Sequence, residues 1–222
     1  MKRSLRTTSS TAIRHSVLAA LVSGLAAGLA LRAGASDKSP SQVVDALSNR
    51  VIAVLQDKNL TTDQRHTQIE AIAYDAMDFE TLSKLVLARN WTKFSPAQQS
   101  EFIDQFKRHL SITYGRNFDT YKNEQVQILG ERPEARGDVT VQTKILRGGH
   151  ADDVLVDYRL RQHDGQWKII DVIVENVSLV SNFRSQFQDI VATGGPDRLL
   201  TLLKEKNDKG EPLQAPATPE KS

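Results

Sequence analysis

The stretch QWKIIDVIVENVSLVSNFRSQFQDIV, residues 166–191, carries the change of periodicity that decides the fold. Residues 167–174 alternate as a strand does, and both faces of that strand carry apolar side chains, so we expect it to lie centrally in a sheet. Strict alternation places Ile170, Val172 and Val174 on one face, and it places Trp167, Ile169 and Ile173 on the other.

The same stretch continues as a helix, because its apolar residues now recur every three or four positions. Ser178 is placed to cap the first turn. Asn176 lies at the junction, and asparagine tolerates the left-handed backbone of a turn. A sheet and a helix therefore meet here. The apolar stripe of the helix consists of Val180, Phe183, Phe187 and Ile190.

The first 35 residues have the form of a secretory signal peptide. Basic residues precede an apolar run over residues 17–31, and Ala33-Gly34-Ala35 is a small-x-small cleavage pattern. The run is about 15 residues long, which is short for a retained membrane helix. We expect the mature chain to begin at Ser36.

Removal of this segment reverses the sign of the net charge. The whole chain has 29 basic and 27 acidic residues, and five of the basic ones but no acidic one lie in residues 1–35, which leaves 24 basic against 27 acidic residues. A negative mature chain gives no support for nucleic-acid binding. With no cysteine, its single domain of about 185 residues must be stabilised by a core rather than by disulfides.

The N-terminal part is predicted to be helical. Ser39-Pro40-Ser41-Gln42 opens a first helix, residues 62–76 form a second, and Asp78 caps a third that ends near Trp91. A fourth start signal, Ser95-Pro96-Ala97-Gln98, opens the longest predicted helix, over residues 96–121.

The longest helix carries a ridge of aromatic and leucine side chains at spacings of three and four residues. The ridge is either ordinary core packed on a sheet or, in part, the lining of a ligand cavity. Its members are Phe102, Phe106, Leu110, Tyr114, Phe118 and Tyr121.

Alternation from Gln125 onward predicts successive strands at residues 126–128, 139–145, 154–160 and 167–174. Two of the connections are short enough for hairpins, so the sheet should be antiparallel. Helices come first, strands second and helices last, which is the α+β order. We expect one domain over residues 36–207, closed by a Leu-rich helix after Gly194-Gly195-Pro196, and a disordered tail over residues 208–222.

No catalytic or metal-binding pattern is recognisable. The sequence has no glycine-rich phosphate loop, no nucleophile elbow and no cysteine nucleophile. The histidines of the mature chain have no second ligand at helical or hairpin spacing, and we expect all of them at the surface. They are His66, His109, His150 and His163.

Asp171 is the one charge within the apolar strand, and a buried carboxylate needs a partner. A structural interpretation pairs it with Arg184, Tyr158 or Tyr114. A catalytic interpretation makes it a general base. We favour the structural one because no second acid or base accompanies it.

Several segments, taken in order, resemble the MlaC family, the periplasmic phospholipid-binding and toluene-tolerance proteins of Gram-negative bacteria. The resemblance covers residues 40–207. Ala88 and Asn176 stand where the family usually has glycine; the first is expected to crowd a helix end and the second to keep a residue able to adopt positive φ. The segments are Tyr74-Asp75-Ala76-Met77-Asp78-Phe79, Val86-Leu87-Ala88-Arg89-Asn90-Trp91, Ser95-Pro96-Ala97-Gln98-Gln99, Tyr114-Gly115, Trp167-Lys168-Ile169-Ile170-Asp171-Val172, Val177-Ser178-Leu179 and Asn182-Phe183-Arg184-Ser185-Gln186-Phe187.

This resemblance implies a soluble periplasmic carrier and not an enzyme. Its fold is α+β, with a twisted antiparallel sheet of about four strands wrapped by N-terminal and C-terminal helices around an apolar cavity. The cargo is a phospholipid, and no cofactor or metal is needed. The expected partners are an inner-membrane lipid-transport ATPase complex with a lipid-binding hexamer and an outer-membrane lipoprotein–porin complex. A monomer would carry lipid between them and so maintain outer-membrane lipid asymmetry.

The cavity lining is expected on the aromatic ridge, on the strands and at the start of the last helix. We expect residues 177–187 and the connection at 131–137 to form its moving wall. The lipid-binding candidates are Phe102, Phe106, Leu110, Tyr114, Phe118, Val141, Val156, Tyr158, Ile170, Val172, Val174, Val180 and Phe183.

Other functions stay open on the sequence alone. A hopanoid-type carrier of the same family would use the same fold for a different lipid. A dehydratase or isomerase could be built on a similar cone-shaped α+β fold, and an interaction module would need no ligand. Phospholipid that co-purifies with the protein would favour the phospholipid carrier.

Overall fold

The computed structural model describes residues 38–147 and 152–213, without the side chains of residues 116 and 117. The expected signal peptide, His150 and residues 214–222 lie outside the described residues. In the described chain, helices come first, an antiparallel sheet follows and a long helix comes last, so the predicted α+β order is confirmed.

The helices begin where the start signals predict. The side chains of Ser39, Thr61 and Ser95 each accept a hydrogen bond from a backbone N–H in the first turn, and a glutamine side chain completes each capping box. Asp78 caps the third helix and Ser178 the last. The bounds are α1 Pro40–Gln56, α2 Thr62–Ala76, α3 Phe79–Leu87, α4 Pro96–Tyr114 and α5 Leu179–Lys209.

The prediction of one helix over residues 96–121 is wrong in its second part. The α-helical part, α4, ends at Tyr114, and Gly115–Thr120 continue as a 3-10 helix. Glycine is a poor helix former, which favours an end at this position. In α5, Gly195 leaves helical geometry with φ 71° and ψ −174°, as the Gly194-Gly195-Pro196 break predicted. The helix continues to Lys209, past the expected end of the domain at residue 207.

The sheet has five strands in the order β1-β2-β3-β4-β5, and every neighbouring pair is antiparallel. The antiparallel prediction is confirmed, with one short strand added. The bounds are β1 Gln125–Pro133, β2 Val139–Leu146, β3 Val154–His163, β4 Gln166–Val174 and β5 Val177–Ser178.

Strand β4 does not lie centrally, and that expectation is wrong. It pairs along its length with β3, but on its other edge it pairs only with Val177–Ser178 and through one bridge from Ile169 to Met77. Both faces of β4 are apolar for another reason. Ile169 packs with Val44 of α1, while the start of α5 lies against the strand at Asp171. Helices thus cover the two apolar faces of β4. Apolar residues on both faces therefore do not require a central position in the sheet.

The predicted assignment of faces in β4 is also wrong beyond Ile169, because the strand contains a bulge. Leu160 pairs with Ile169 and Arg159 pairs with Asp171, so Ile170 is an extra residue. One extra residue moves every later side chain to the opposite face. Trp167, Ile169 and Val172 consequently pack together, although strict alternation separates Val172 from the other two.

The apolar side chains form two packed groups. The helical cluster lies between α3, α4 and α5, and the sheet cluster lies between α1 and the sheet. The aromatic ridge belongs mainly to the first. Phe106 packs edge-on to Phe183 and Phe187, with ring centroids 5.1 and 5.5 Å apart. The bulk of the ridge is therefore core packed on helices, which differs from the interpretation that it packs on the sheet.

Among residues 38–147 and 152–213, no helix is both long enough and apolar enough to cross a membrane.

Candidate functional site

The face of the sheet that α1 covers, called here the inner face, carries mainly apolar side chains in rows across the strands. The strand register defines four rows along the length of α1. From the start of α1 to its end they are Val139–Leu160–Ile169, Val141–Tyr158–Val172, Ile128–Thr143–Val156–Val174 and Val126–Ile145–Val154.

Helix α1 runs antiparallel to β1 across this face. At its start, the Ser41 N–H donates to Glu131 Oε1 at 2.8 Å, near the end of β1. At its end, Gln56 Nε2 donates to the Tyr121 hydroxyl at 3.2 Å, just before β1 begins. Val51 and Leu55 continue the helical stripe of Val44 toward the sheet.

Packing becomes looser from the start of α1 to its end. Val141, Leu160 and Ile169 are fully buried in the sheet cluster with Val44. At the other end, apolar side chains of α1, of the segment after α4 and of the sheet are only partly buried, and these described residues belong to neither cluster. We call this group the open end. It consists of Val51, Leu55, Phe118, Tyr121, Val126, Ile145 and Val154.

The 3-10 segment Gly115–Thr120 forms one wall of the open end. It is joined to α2 by His66 Nε2, which lies 2.7 Å from Asp119 Oδ1. Just beyond it, Tyr121 meets Gln56 of α1. Both contacts are polar and exposed to solvent, so the segment is held by weaker interactions than the clusters are.

Two tyrosines lie between the open end and the clusters. Tyr158 packs against the sheet cluster, and its burial raises its pKa to about 12. Tyr114 packs against the helical cluster, and burial raises its pKa as well. Both phenols are therefore neutral at physiological pH, and neither adds charge to this apolar region.

A third tyrosine lies at the contact between α2 and α4. Burial and a hydrogen bond to Glu70 raise the pKa of Tyr74 to about 12, and its hydroxyl also lies 2.8 Å from Ser111 Oγ. Lys107 Nζ lies 3.7 Å from the centre of the Tyr74 ring, a cation–π contact.

The residues expected to line a lipid cavity do not form one surface. Val141, Tyr158 and Val172 come together in one row of the inner face, next to Val156. Phe118 lies at the open end, Tyr114 is partly buried against the helical cluster, Ile170 is buried outside both clusters, and Val174 is 42% exposed at the sheet edge. The other candidates are buried in the helical cluster: Phe102, Phe106, Leu110, Val180 and Phe183.

Sequence reasoning missed much of the open end as a site. Val126, Ile145 and Val154 lie within the predicted strands, and Val51 and Leu55 lie in α1, whose start the sequence predicts. A usable signal was that both patterns continue to the ends of their elements. Periodicity identifies the face on which a residue lies, but it does not report whether the opposite surface packs against it.

Asp171 has a structural environment. It is 2% exposed and accepts hydrogen bonds from the Val180 N–H at 3.0 Å, Ser178 Oγ at 2.6 Å and Arg159 Nη2 at 3.3 Å. The bulge places Arg159 opposite it. Arg184, one of the three expected partners, instead donates to the Leu85 carbonyl. The structural interpretation holds, with a different arginine.

The expectation that all histidines lie at the surface is wrong for His109, which is 0% exposed. Its ring is hydrogen-bonded to Asn207 of α5. A neutral imidazole can be buried when both of its nitrogens form hydrogen bonds. His163 pairs with Asp78. Within the described ranges, no group of three His, Cys, Asp or Glu side chains could hold a metal ion.

The expected moving wall is joined to the rest of the structure by several contacts, and its movement stays a prediction. The start of α5 is held by Asp171, Phe187 is fully buried, and the Arg184 guanidinium donates twice to the Leu85 carbonyl, at 3.0 and 2.7 Å. In the connection at 131–137, β1 continues to Pro133 and Ala135–Gly137 form a 3-10 turn, and Arg161 binds Asp138 next to it through two hydrogen bonds of 2.6 and 2.7 Å.

Known proteins are similar to this chain in sequence and in fold. The family model described as MlaC protein matches residues 45–205, most of the chain. The chain belongs to the MlaC family. It is 26% identical over 162 residues to the toluene tolerance protein ttg2D of Pseudomonas putida, covering 69% of this chain and 74% of that one.

Two further relatives of this MlaC family member are informative. The intermembrane phospholipid transport system binding protein MlaC of Haemophilus influenzae is 19% identical over 188 residues, covering 82% and 88% of the two chains. A phospholipid-binding protein from Ralstonia solanacearum, solved in complex with a phospholipid, superposes with a TM-score of 0.68 at 23% identity, covering 76% of this chain and 96% of its own. This structural similarity establishes the fold of the chain and nothing beyond the fold.

Proposed function

We propose that this protein is a phospholipid carrier whose acyl chains occupy the open end of the inner face. The observation that carries the proposal is the unfinished packing there: the stripe of α1 and the rows of the sheet continue past the sheet cluster, but the described residues at their ends join neither cluster. A lipid chain would complete that packing. Relatives named for phospholipid binding and phospholipid transport support the choice of ligand.

The chemistry of the open end suits acyl chains. Each methylene transferred from water into an apolar site contributes about 0.8 kcal/mol, so two chains need a large apolar surface and few polar contacts. The open end offers aliphatic and aromatic side chains, and Tyr158 next to it stays uncharged. The head group would remain at the solvent, near the exposed pair of His66 and Asp119.

The same features favour a carrier over an enzyme. Asp171 was the one candidate general base, and it is buried with three hydrogen-bond donors around it. A carboxylate in that position stabilises the start of a helix. It is not placed to take a proton from a ligand at the inner face, because it pairs with Arg159 on the opposite face of the sheet from Tyr158 and Val172.

We further propose that the carrier works in the periplasm, to which a cleaved signal peptide would direct it. Its cargo would pass between an inner-membrane ATPase complex with a lipid-binding hexamer and an outer-membrane lipoprotein–porin complex. The net effect would be to maintain the lipid asymmetry of the outer membrane. The name of the Haemophilus relative, a binding protein of an intermembrane phospholipid transport system, supports this part of the proposal.

The test compares two carboxylates introduced into the same sheet. Ile145→Asp places a charge at the open end, where burial without a partner costs several kcal/mol unless the group reaches water or protonates. Leu129→Asp places it on the exposed outer face, since Leu129 is 50% exposed. Uptake of fluorescent phospholipid from liposomes should fall at least tenfold in the first variant and stay near wild type in the second, with circular dichroism unchanged in both.

Wild-type uptake by a folded Ile145→Asp variant would contradict the location. Uptake of hopanoid but not of phospholipid by the wild-type protein would contradict the cargo. Phe118→Asp, on the opposite wall of the open end, provides an independent variant should Ile145→Asp fail to fold.

A further inference from the structure

The chain reverses direction after α5 and returns to α4 through residues 210–213, called here the C-terminal strap. Gly210 has φ 66° and ends the helix, and the Glu211 N–H donates to the Lys206 carbonyl at 2.9 Å. Positive φ at this position favours glycine. Leu213 then packs against the helical cluster, and its N–H donates to Nε2 of His109 at 3.2 Å.

The strap is bound to an imidazole whose protonation is defined by its partners. Since Nε2 of His109 accepts from the Leu213 N–H, it carries no proton, and the neutral ring must carry its proton on Nδ1. The protonated Nδ1 donates a hydrogen bond to Asn207 Oδ1, which lies 2.8 Å away. The Asn207 amide is itself oriented, because its Nδ2 donates to the carbonyl and Oε1 of Gln105, both at 2.9 Å.

The charged groups around His109 give a protonated ring no partner. On its own helix, Arg108 pairs with Asp208 of α5 at 3.0 Å. Lys206 of α5 pairs with Glu211 of the strap at 2.7 Å. Phe183 presents an aromatic ring 6.0 Å away. The nearby carboxylates of the described chain are thus already committed to cations, and the ring itself is completely buried.

We propose that the C-terminal strap is a latch on the helical cluster and that protonation of His109 releases it. Uptake of a proton at Nε2 of His109 turns the acceptor of the Leu213 N–H into a second donor. The two N–H groups then repel each other, and the strap dissociates from α4. The apolar site of Leu213 between α4 and α5 is then uncovered. This inference is independent of lipid carriage.

The direction of the pH dependence follows from the buried neutral ring. Burial lowers the pKa of His109 below its ordinary value of 6.5, and the charge of Lys206 lowers it further, whereas the bond to Asn207 opposes the shift. The released state therefore binds the proton more readily than the docked state. Docking is strongest above the pKa of the released ring and weakens as the pH falls below it, by at most tenfold per pH unit because one proton is bound.

Native-state hydrogen exchange measured by NMR on the mature chain, residues 36–222, tests the latch. The protection factor of the Leu213 amide should fall as the pH is lowered from 8 to 5, by up to about tenfold per pH unit, while that of Phe106, in the core of α4, should fall much less. His109→Gln keeps a donor and an acceptor but cannot titrate, so it should abolish the dependence. His163→Gln, at a half-exposed site, should leave it intact.

Three results would overturn the proposal: a constant Leu213 protection factor between pH 8 and 5, an equal fall at Leu213 and Phe106, or an unchanged pH dependence in folded His109→Gln. The second would make His109 a determinant of global stability rather than of the strap. If His109→Gln does not fold, the comparison of the two amides in the wild-type protein decides.

Discussion

Ala88 shows how one side chain departs from what its backbone position requires. It follows α3 with φ 48° and ψ −124°, a region that residues with a Cβ rarely occupy. We had expected only crowding at a helix end, but the structure shows backbone strain. Asn176, the other position where the family usually has glycine, adopts φ 65°, as its residue type predicts.

Ala88→Gly should therefore stabilise the protein. Relief of the strained backbone should raise the free energy of unfolding by about 1 kcal/mol, after allowance for the greater entropy of glycine in the unfolded chain. Urea denaturation measures this free energy of unfolding. Ala53→Gly, on the exposed side of α1, is the matched control and should lower the stability by about 0.5–1 kcal/mol. A loss in both variants would argue against strain at Ala88.

Asp171→Asn should destabilise the protein by about 2 kcal/mol, because the amide keeps one acceptor but loses the charge that Arg159 and the α5 N-terminus face. Asp157→Asn, in the next row of the same sheet and only partly buried, should change stability by less than about 0.5 kcal/mol. Lipid bound per folded molecule should stay constant in both. A stable Asp171→Asn protein that loses lipid would place Asp171 in the site.

At the scale of elements, local signals predict where helices begin better than they predict where helices end or how strand residues pair. Capping boxes at Ser39 and Ser95 depend on residues a few positions apart, so the sequence contains the whole interaction. The bulge at Ile170 depends on which β3 residue lies opposite, and alternation cannot show an inserted residue. The face of Val172 and the partner of Asp171 were missed for this single reason.

The 3-10 segment Gly115–Thr120 is the element that we now expect to move when lipid is exchanged. Its link to α2 is the exposed pair of His66 and Asp119, and exposed pairs contribute little stability. The start of α5, which the sequence suggested, is anchored in the helical cluster. A wall fixed by polar surface contacts can open without breaking a packed core or a strand ladder.

A reducible cross-link tests this wall. The chain has no cysteine, so His66→Cys with Asp119→Cys can be joined cleanly by a cleavable bis-maleimide. Phospholipid transfer between liposomes should slow at least tenfold when the link is closed and recover when it is reduced. The same link between Glu80→Cys and Lys84→Cys, one turn apart on α3, should have no effect. Equal transfer in the linked and cleaved forms would mean that the segment does not gate the site.

For the molecule as a whole, the order of elements and the antiparallel sheet could be predicted, but the division of its core could not. The ridge that begins at Phe102 and the rows that include Ile145 have the same apolar character in sequence. The ridge packs tightly because α3 and α5 meet it, whereas Ile145 stays partly exposed and belongs to neither cluster of the described residues. Which surfaces meet is a property of the tertiary fold, and the candidate site depends on it.

The most direct test of the account is native mass spectrometry of the mature chain purified from bacteria without added lipid. We predict a protein mass increased by one phospholipid, which organic extraction identifies, and a lower bound fraction in Ile145→Asp but not in Leu129→Asp. A wild-type protein that is folded and lipid-free, and that takes up no phospholipid from liposomes, would contradict the central claim.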